Sequence, residues 1–244
     1  MDEPRFAIYF VPGADTPLYR FGAGFVGYDC YSGGEYGPPE ATGLGLADWK
    51  QLTQAPRAYG FHATLKAPFR LAQASTENEL LTAFRRFAAT PRTIPALDPV
   101  VRSLGSFIAI VPASPSPAID LLAADCVTAF DQFRQPLGAQ ERQSRLGAGL
   151  SQRQVEYLDR WGYPYVLEDF RFHMTLTGSI AAADRRSDIL ALLQARFAAM
   201  VGSASVQIAQ LALLRQDAPS IRFRVICRAP LIPAAKKAAK RPNH

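Results

Sequence analysis

Phe61-His62-Ala63-Thr64-Leu65 and Phe172-His173-Met174-Thr175-Leu176 read almost alike, and what surrounds them corresponds as well. Arg5-Phe6-Ala7-Ile8-Tyr9-Phe10-Val11-Pro12 precedes the first, and Ser106-Phe107-Ile108-Ala109-Ile110-Val111-Pro112 precedes the second. Each is an apolar run closed by Val-Pro, the pattern of a strand stopped by proline. After each histidine segment the period changes to that of an amphipathic helix. The first helix opens at Thr76 with Glu79 three residues on, a capping box, and sets Leu80, Phe84, Phe87 and Ala88 on one face. The second opens near Asp184 and aligns Ile189, Leu192, Leu193, Phe197 and Met200. A further helix is expected inside each half, over Thr42 to Gln54 and along Ile119, Leu122, Cys126, Phe130 and Phe133.

A unit of strand, helix, strand, helix, strand that recurs once predicts an α+β protein of two similar lobes, related by a pseudo-twofold and meeting at a cleft. The first lobe is expected over 1–104 and the second over 105–233, both within one structural domain, followed by a basic tail at 234–244. Two segments break the symmetry. Gly13 to Ala41, rich in Gly, Pro and Tyr, is expected to form loops. Arg134 to Tyr165 is expected to be an excursion with one short helix, starting at Ser151 with Gln154 three residues on and stopping at Gly162.

On a strand, alternation puts His62, Thr64 and Lys66 on one face and Phe61, Ala63 and Leu65 on the other. The second copy sorts the same way, with Arg171, His173, Thr175 and Thr177 opposite Phe172, Met174 and Leu176. A single strand histidine is most often a satisfied structural residue. Here the chain holds three histidines, one is the terminal His244, and the other two occupy matching places with a threonine two positions on. Displacement at phosphorus needs a base for the attacking oxygen and an acid for the leaving one, and two imidazoles can share those roles near neutral pH. The threonine hydroxyls can donate to the non-bridging oxygens, where charge gathers in the transition state. Lys66 and Arg171 would add positive charge; Tyr59, Tyr163 and Tyr165 could stack on a base or bond a phosphate, or lie half-buried with wet hydroxyls.

Other chemistries find less support. Zinc sites call for three or four ligands, and there is no third usable His, no HExxH and no Cys cluster, so neither metal nor cofactor is expected. Gly22-Ala23-Gly24-Phe25-Val26-Gly27 spells GxGxxG without the strand before it or the helix after it, and is expected to be a flexible loop. Cys30, Cys126 and Cys227 lie far apart and are odd in number, which argues for reduced thiols rather than a disulfide framework.

With 48% hydrophobic and 20% charged residues, the 244-residue chain can fill a core. No apolar run is long enough to span a bilayer, and the acidic Met1-Asp2-Glu3 start does not suit a signal peptide, so a cytoplasmic protein without membrane contact is expected. Of the net charge of +6, Lys236, Lys237, Lys240 and Arg241 supply four units. The high pI is thus largely a property of a tail expected to be a disordered, solvated end.

The two His-x-Thr-hydrophobic motifs, His62-Ala63-Thr64-Leu65 and His173-Met174-Thr175-Leu176, resemble the hallmark of the 2H phosphoesterase superfamily. The strings Tyr59-Gly60-Phe61-His62-Ala63-Thr64-Leu65-Lys66-Ala67-Pro68-Phe69, Trp161-Gly162-Tyr163-Pro164-Tyr165 and Phe170-Arg171-Phe172-His173-Met174-Thr175-Leu176-Thr177-Gly178 resemble the branch found in phosphonate-utilisation operons. The resemblance runs from the first strand to about Pro230. It implies a bilobal fold with two antiparallel sheets lining a central cleft and helices outside. It also implies His62 and His173 as acid and base, Thr64 and Thr175 as phosphate contacts, and cyclic phosphodiesters or RNA-terminal phosphates as substrates. The expectation is therefore a monomeric, metal-independent phosphoesterase acting on a small cyclic or activated phosphodiester. The alternatives are an RNA-end processing or 2′-5′ ligase-like enzyme, with an RNA terminus as partner, and a non-catalytic nucleotide or phosphate-ester binding module.

Overall fold

A computed structural model describes residues 3–40, 42–147 and 149–235. The basic tail expected after Pro233 lies almost wholly outside the described residues. Seven strands form one antiparallel sheet in the order β4-β5-β6-β2-β1-β8-β9: β1 (Arg5–Phe10), β2 (Ala63–Arg70), β4 (Pro99–Leu104), β5 (Phe107–Pro112), β6 (Met174–Thr175), β8 (Gln210–Gln216) and β9 (Arg224–Pro230). A small second sheet pairs β3 (Ala96–Leu97) with β7 (Val206–Gln207).

The α+β class is as expected, and strands from before and after residue 104 pair at three places in the sheet, β4 with β5, β1 with β8, and β2 with β6, the last through the single residue pair Ala63 with Met174. Pairing does not follow chain order at residue 104. β4 pairs with β5, while β8, late in the chain, lies beside β1 and carries β9 at its outer edge. Long apolar strands find their partners by matching buried faces, and β1 is buried along most of its length, Phe6 to Phe10 at 2% exposure or less.

The helices follow their local signals closely. α3 (Glu77–Ala89) starts with the Thr76/Glu79 capping box, and α6 (Gln152–Trp161) has the Ser151/Gln154 box and a left-handed Gly162 at its end. α7 (Ala183–Met200) occupies its expected segment; α2 (Leu46–Arg57) starts four residues later than expected and runs three further, and α4 (Pro117–Ala129) ends before Phe130 and Phe133, the latter in a short 3-10 turn, Asp131–Phe133. α4 packs on β2, α7 on β4 and β5, and α3 on β8 and β9.

Two expectations are corrected. Within 13–41, Pro17–Val26 is a helix, α1, capped by Thr16 and ended by the left-handed Gly27, so the GxGxxG letters lie on a helix and its cap. Gly22 and Gly24 weaken its propensity, but Leu18, Phe21, Phe25 and Val26 supply a buried face that outweighs the loss. Gly22 sits against the Phe61 ring, where a Cβ would overlap the ring carbons. Among the described residues of 134–165 there are two helices, α5 (Ala139–Leu146) and α6; α5 buries no residue, which left no apolar period to read.

Candidate active site

The pairing of Ala63 with Met174 positions the site. In an antiparallel pair, facing residues share a side of the sheet, and neighbours along each strand take the other side. Ala63 and Met174 are fully buried, so His62, Thr64, His173 and Thr175 all project from the opposite face. Continuing the register by one residue sets His62 across from Thr175 and Thr64 across from His173. The four form a quadrilateral with the histidines on its diagonal, about 7–8 Å between backbones. All four are part-buried.

Both rings are held in the same way. The Nδ1 of His62 lies 2.9 Å from the Gly60 carbonyl, and the Nδ1 of His173 lies 2.7 Å from the Arg171 carbonyl. A carbonyl can only accept, so each Nδ1 carries a proton and each Nε2 is presented to the face. Gly60 turns at φ +79°, and a Cβ there would come within 2.8 Å of Cys30 Cβ, so that carbonyl depends on glycine. His62 Nε2 lies 3.2 Å from Thr64 Oγ1, and Tyr9 stacks on the ring with centroids 3.8 Å apart.

Burial drives the His62 pKa down to about 4; the Gly60 carbonyl pulls the other way, and the charge of nearby His173 lowers it further. At neutral pH His62 is therefore an uncharged imidazole whose Nε2 lone pair accepts from the Thr64 hydroxyl. Burial, reinforced by Tyr59, keeps the Tyr9 phenol protonated far above its ordinary range.

The other residues singled out in the sequence divide. Tyr59 stands 6.1 Å from the His62 ring and stacks on Phe223, and Tyr163 and Tyr165 meet edge to face at 5.6 Å. Tyr165 is exposed, while burial raises the pKa of Tyr163. Arg171 is exposed, and it is its backbone carbonyl that holds His173.

Lys66 and Thr177 are turned inward. Facing β1, Tyr9 pairs with Thr64 and its neighbour Ile8 pairs with Lys66, so Leu65 is an extra residue on β2. That bulge reverses the alternation and puts Lys66 on the face opposite Thr64. There its ammonium bonds the Val127 carbonyl at 3.0 Å and Asp131 at 3.3 Å. Burial depresses the Lys66 pKa to about 8 against the opposing pull of Asp131. Burial pushes the Asp131 carboxyl up, but Arg134 and Lys66 outweigh it and hold it below the ordinary range. Thr177 is fully buried and accepts from the Ile108 N–H at 3.0 Å.

Tyr9 and Gly60 were missed by the motif reading. Extending the alternation rule to the first strand would have put Arg5, Ala7 and Tyr9 on one face and flagged Tyr9; nothing local announces Asp131, which meets Lys66 only through packing. Among the described residues, no three His, Cys, Asp or Glu side chains gather as a metal-ligand set, and no helix is long and apolar enough to cross a membrane.

Fold and site define an antiparallel α+β protein with a paired histidine–threonine face. The chain belongs to the family described as "Protein of unknown function (DUF1045)", whose sequence model matches residues 64–224. It is 39% identical over 224 residues to a protein of Janthinobacterium sp. (strain Marseille) named ribose 1,5-bisphosphate phosphokinase PhnN, covering 90% of this chain and 49% of that protein. It is 35% identical over 185 residues to a protein of the same name from Laribacter hongkongensis (strain HLHK9), covering 74% and 41%. The chain thus spans about half the length, or less, of the curated relatives it matches. A solved structure described as "Crystal structure of phosphoesterase" aligns over 95% of this chain and 99% of that chain at 13% identity, with a TM-score of 0.42.

Proposed function

We propose that this chain is a phosphoesterase of the 2H kind that opens a small cyclic phosphodiester. The observation that carries the reading is the quartet on one sheet face, with both Nδ1 atoms tied to the carbonyl two residues back and both Nε2 atoms presented. His62, neutral at physiological pH, is the base, and His173 is the acid. His62 Nε2 takes a proton from a water as its oxygen bonds to phosphorus. The bond from phosphorus to the ring oxygen breaks on the far side, and His173 Nε2 gives that oxygen its proton. The product is an acyclic phosphomonoester with a free hydroxyl, and the two histidines return to their starting states by proton exchange with solvent. Thr64 and Thr175 donate to the non-bridging oxygens. The scheme calls on no metal ion.

Two further points support the substrate class. The longer relatives are named for a kinase of ribose 1,5-bisphosphate, and the resemblance to the phosphonate-operon branch favours a place in phosphonate metabolism; a cyclic sugar phosphate satisfies both. The test is turnover of a panel of cyclic sugar and nucleoside phosphates with excess chelator present. Wild type should cleave at least one member, and His62→Ala and His173→Ala should each lose at least about a hundredfold in kcat. Full turnover in both variants would end the proposal.

A further inference from the structure

The same face of β1 that carries Tyr9 also carries Arg5, two alternations away and roughly 13 Å along the strand. Among the described residues Arg5 is ion-paired with no carboxylate. Its Nε and Nη2 both donate to Gln216 Oε1, the former at 2.8 Å. Gln216 is 3% exposed and is itself fixed by donating to the Ile221 carbonyl at 2.6 Å. The guanidinium lies over Phe223, 5.5 Å from the ring centroid.

Five donor hydrogens minus the two spent on the amide leave three, on a cation held in place by a neutral group. A carboxylate in the position of Gln216 would have quenched that charge. Glutamine orients the fork and leaves its charge available.

Arg5 opens into a cavity of about 260 Å³ that Arg70 and Arg134 also line. Arg70 faces Arg5 directly across the β1–β2 ladder, an arrangement of like charges that costs stability unless an anion sits between them. Glu3 and Glu141 line the cavity too. Glu141 approaches Arg70 at 3.4 Å, and Asp131 takes Arg134 at 2.8 Å, which leaves Arg5 as the uncompensated member. From Arg5 toward the histidines runs a buried row of rings: Arg5 lies over Phe223, Phe223 stands 6.2 Å from Tyr9, and Tyr9 stacks on His62 at 3.8 Å.

We propose that Arg5, fixed by Gln216 and Phe223 and facing Arg70, holds a second phosphate of the substrate, so that the ester cleaved is a cyclic phosphodiester bearing a terminal phosphomonoester. This rests on the catalytic reading above. It adds that the enzyme selects phosphorylated over unphosphorylated cyclic esters, and that a sugar-phosphorylating reaction, or a cleavage releasing a phosphorylated cyclic sugar, must supply the substrate.

The experiment compares kcat/KM for adenosine 2′,3′-cyclic phosphate with and without a 5′-phosphate, in wild type, Arg5→Gln and Arg5→Lys. Wild type should prefer the 5′-phosphorylated ester by about tenfold or more. R5Q should bring the ratio near one, and R5K, which keeps the charge and loses the fork, should fall between. An undiminished ratio in R5Q, or no preference in wild type, overturns the proposal. Calorimetry with ribose 5-phosphate separates this outcome from failure of the catalytic reading. Binding should persist in the His62→Ala/His173→Ala double variant and be lost in folded R5Q, whether or not any ester turns over; binding kept by R5Q overturns the subsite alone.

Discussion

The proton affinity of His62 offers the sharpest test. Lying beneath Tyr9, the imidazole falls from an ordinary value of 6.5 to about 4, a difference equivalent to about 3 kcal/mol. The unfolded chain takes up a proton near pH 6.5 and the folded chain only near 4, so between these values the unfolded state binds more protons. The contribution of neutral His62 to stability is therefore complete above about pH 6.5, declines as the pH falls, and is lost by about pH 4. In His62→Gln the side-chain amide can still donate to the Gly60 carbonyl but does not titrate. The stability of wild type minus that of H62Q, from urea unfolding at a series of pH values, should fall by up to about 3 kcal/mol between pH 7 and 4. An NMR titration of the ring protons, assigned by loss of the signal in H62Q, should place His62 near 4, and Tyr9→Ala, which uncovers the ring, should return it toward 6.5. A His62 signal titrating at 6.5 or above, or a stability difference flat with pH, would refute the argument and with it the choice of His62 as base.

Three more outcomes are expected. Gly22→Ala should cost about 1–3 kcal/mol, because its Cβ must displace the Phe61 ring beside His62; Gly24→Ala, with open space around it in the same helix, should gain up to about 1 kcal/mol, and equal thermal stability of the two would contradict the packing described. Asp131→Ala leaves Lys66 buried without its carboxylate and should destabilise by about 3–5 kcal/mol, with Lys66→Met in the same chain restoring much of the loss in chemical denaturation. Thr177→Val should cost about 1–3 kcal/mol by orphaning the buried Ile108 N–H, whereas Thr64→Val should appear chiefly in kcat; a T64V enzyme with unaltered kcat would remove Thr64 from the chemistry.

Much of this molecule is written locally. Capping boxes at Thr76 and Ser151, the stop at Gly162 and the apolar periods of α3, α4 and α7 depend on residues within a few positions of one another, and they form where their letters stand. The paired His-x-Thr segments were legible for the same reason: on an extended chain, position alone decides that a histidine and the threonine two residues on share a face. α1 was not legible, since its two internal glycines argue against a helix and only its burial against neighbouring elements overrides them. α5 was not legible either, because an exposed helix has no apolar stripe.

What sequence by itself determined, then, is which side chains could do chemistry and on which short elements they ride. Tertiary structure alone decided which of them lie together. The β2 bulge at Leu65 turned Lys66 away from Thr64, the single Ala63–Met174 pair brought two distant histidines to one face, and Tyr9 settled over His62 to keep it neutral. Register between strands, and the dielectric around a ring, are set by the free energy of burying whole faces against partners far along the chain, and no local run of residues contains that sum.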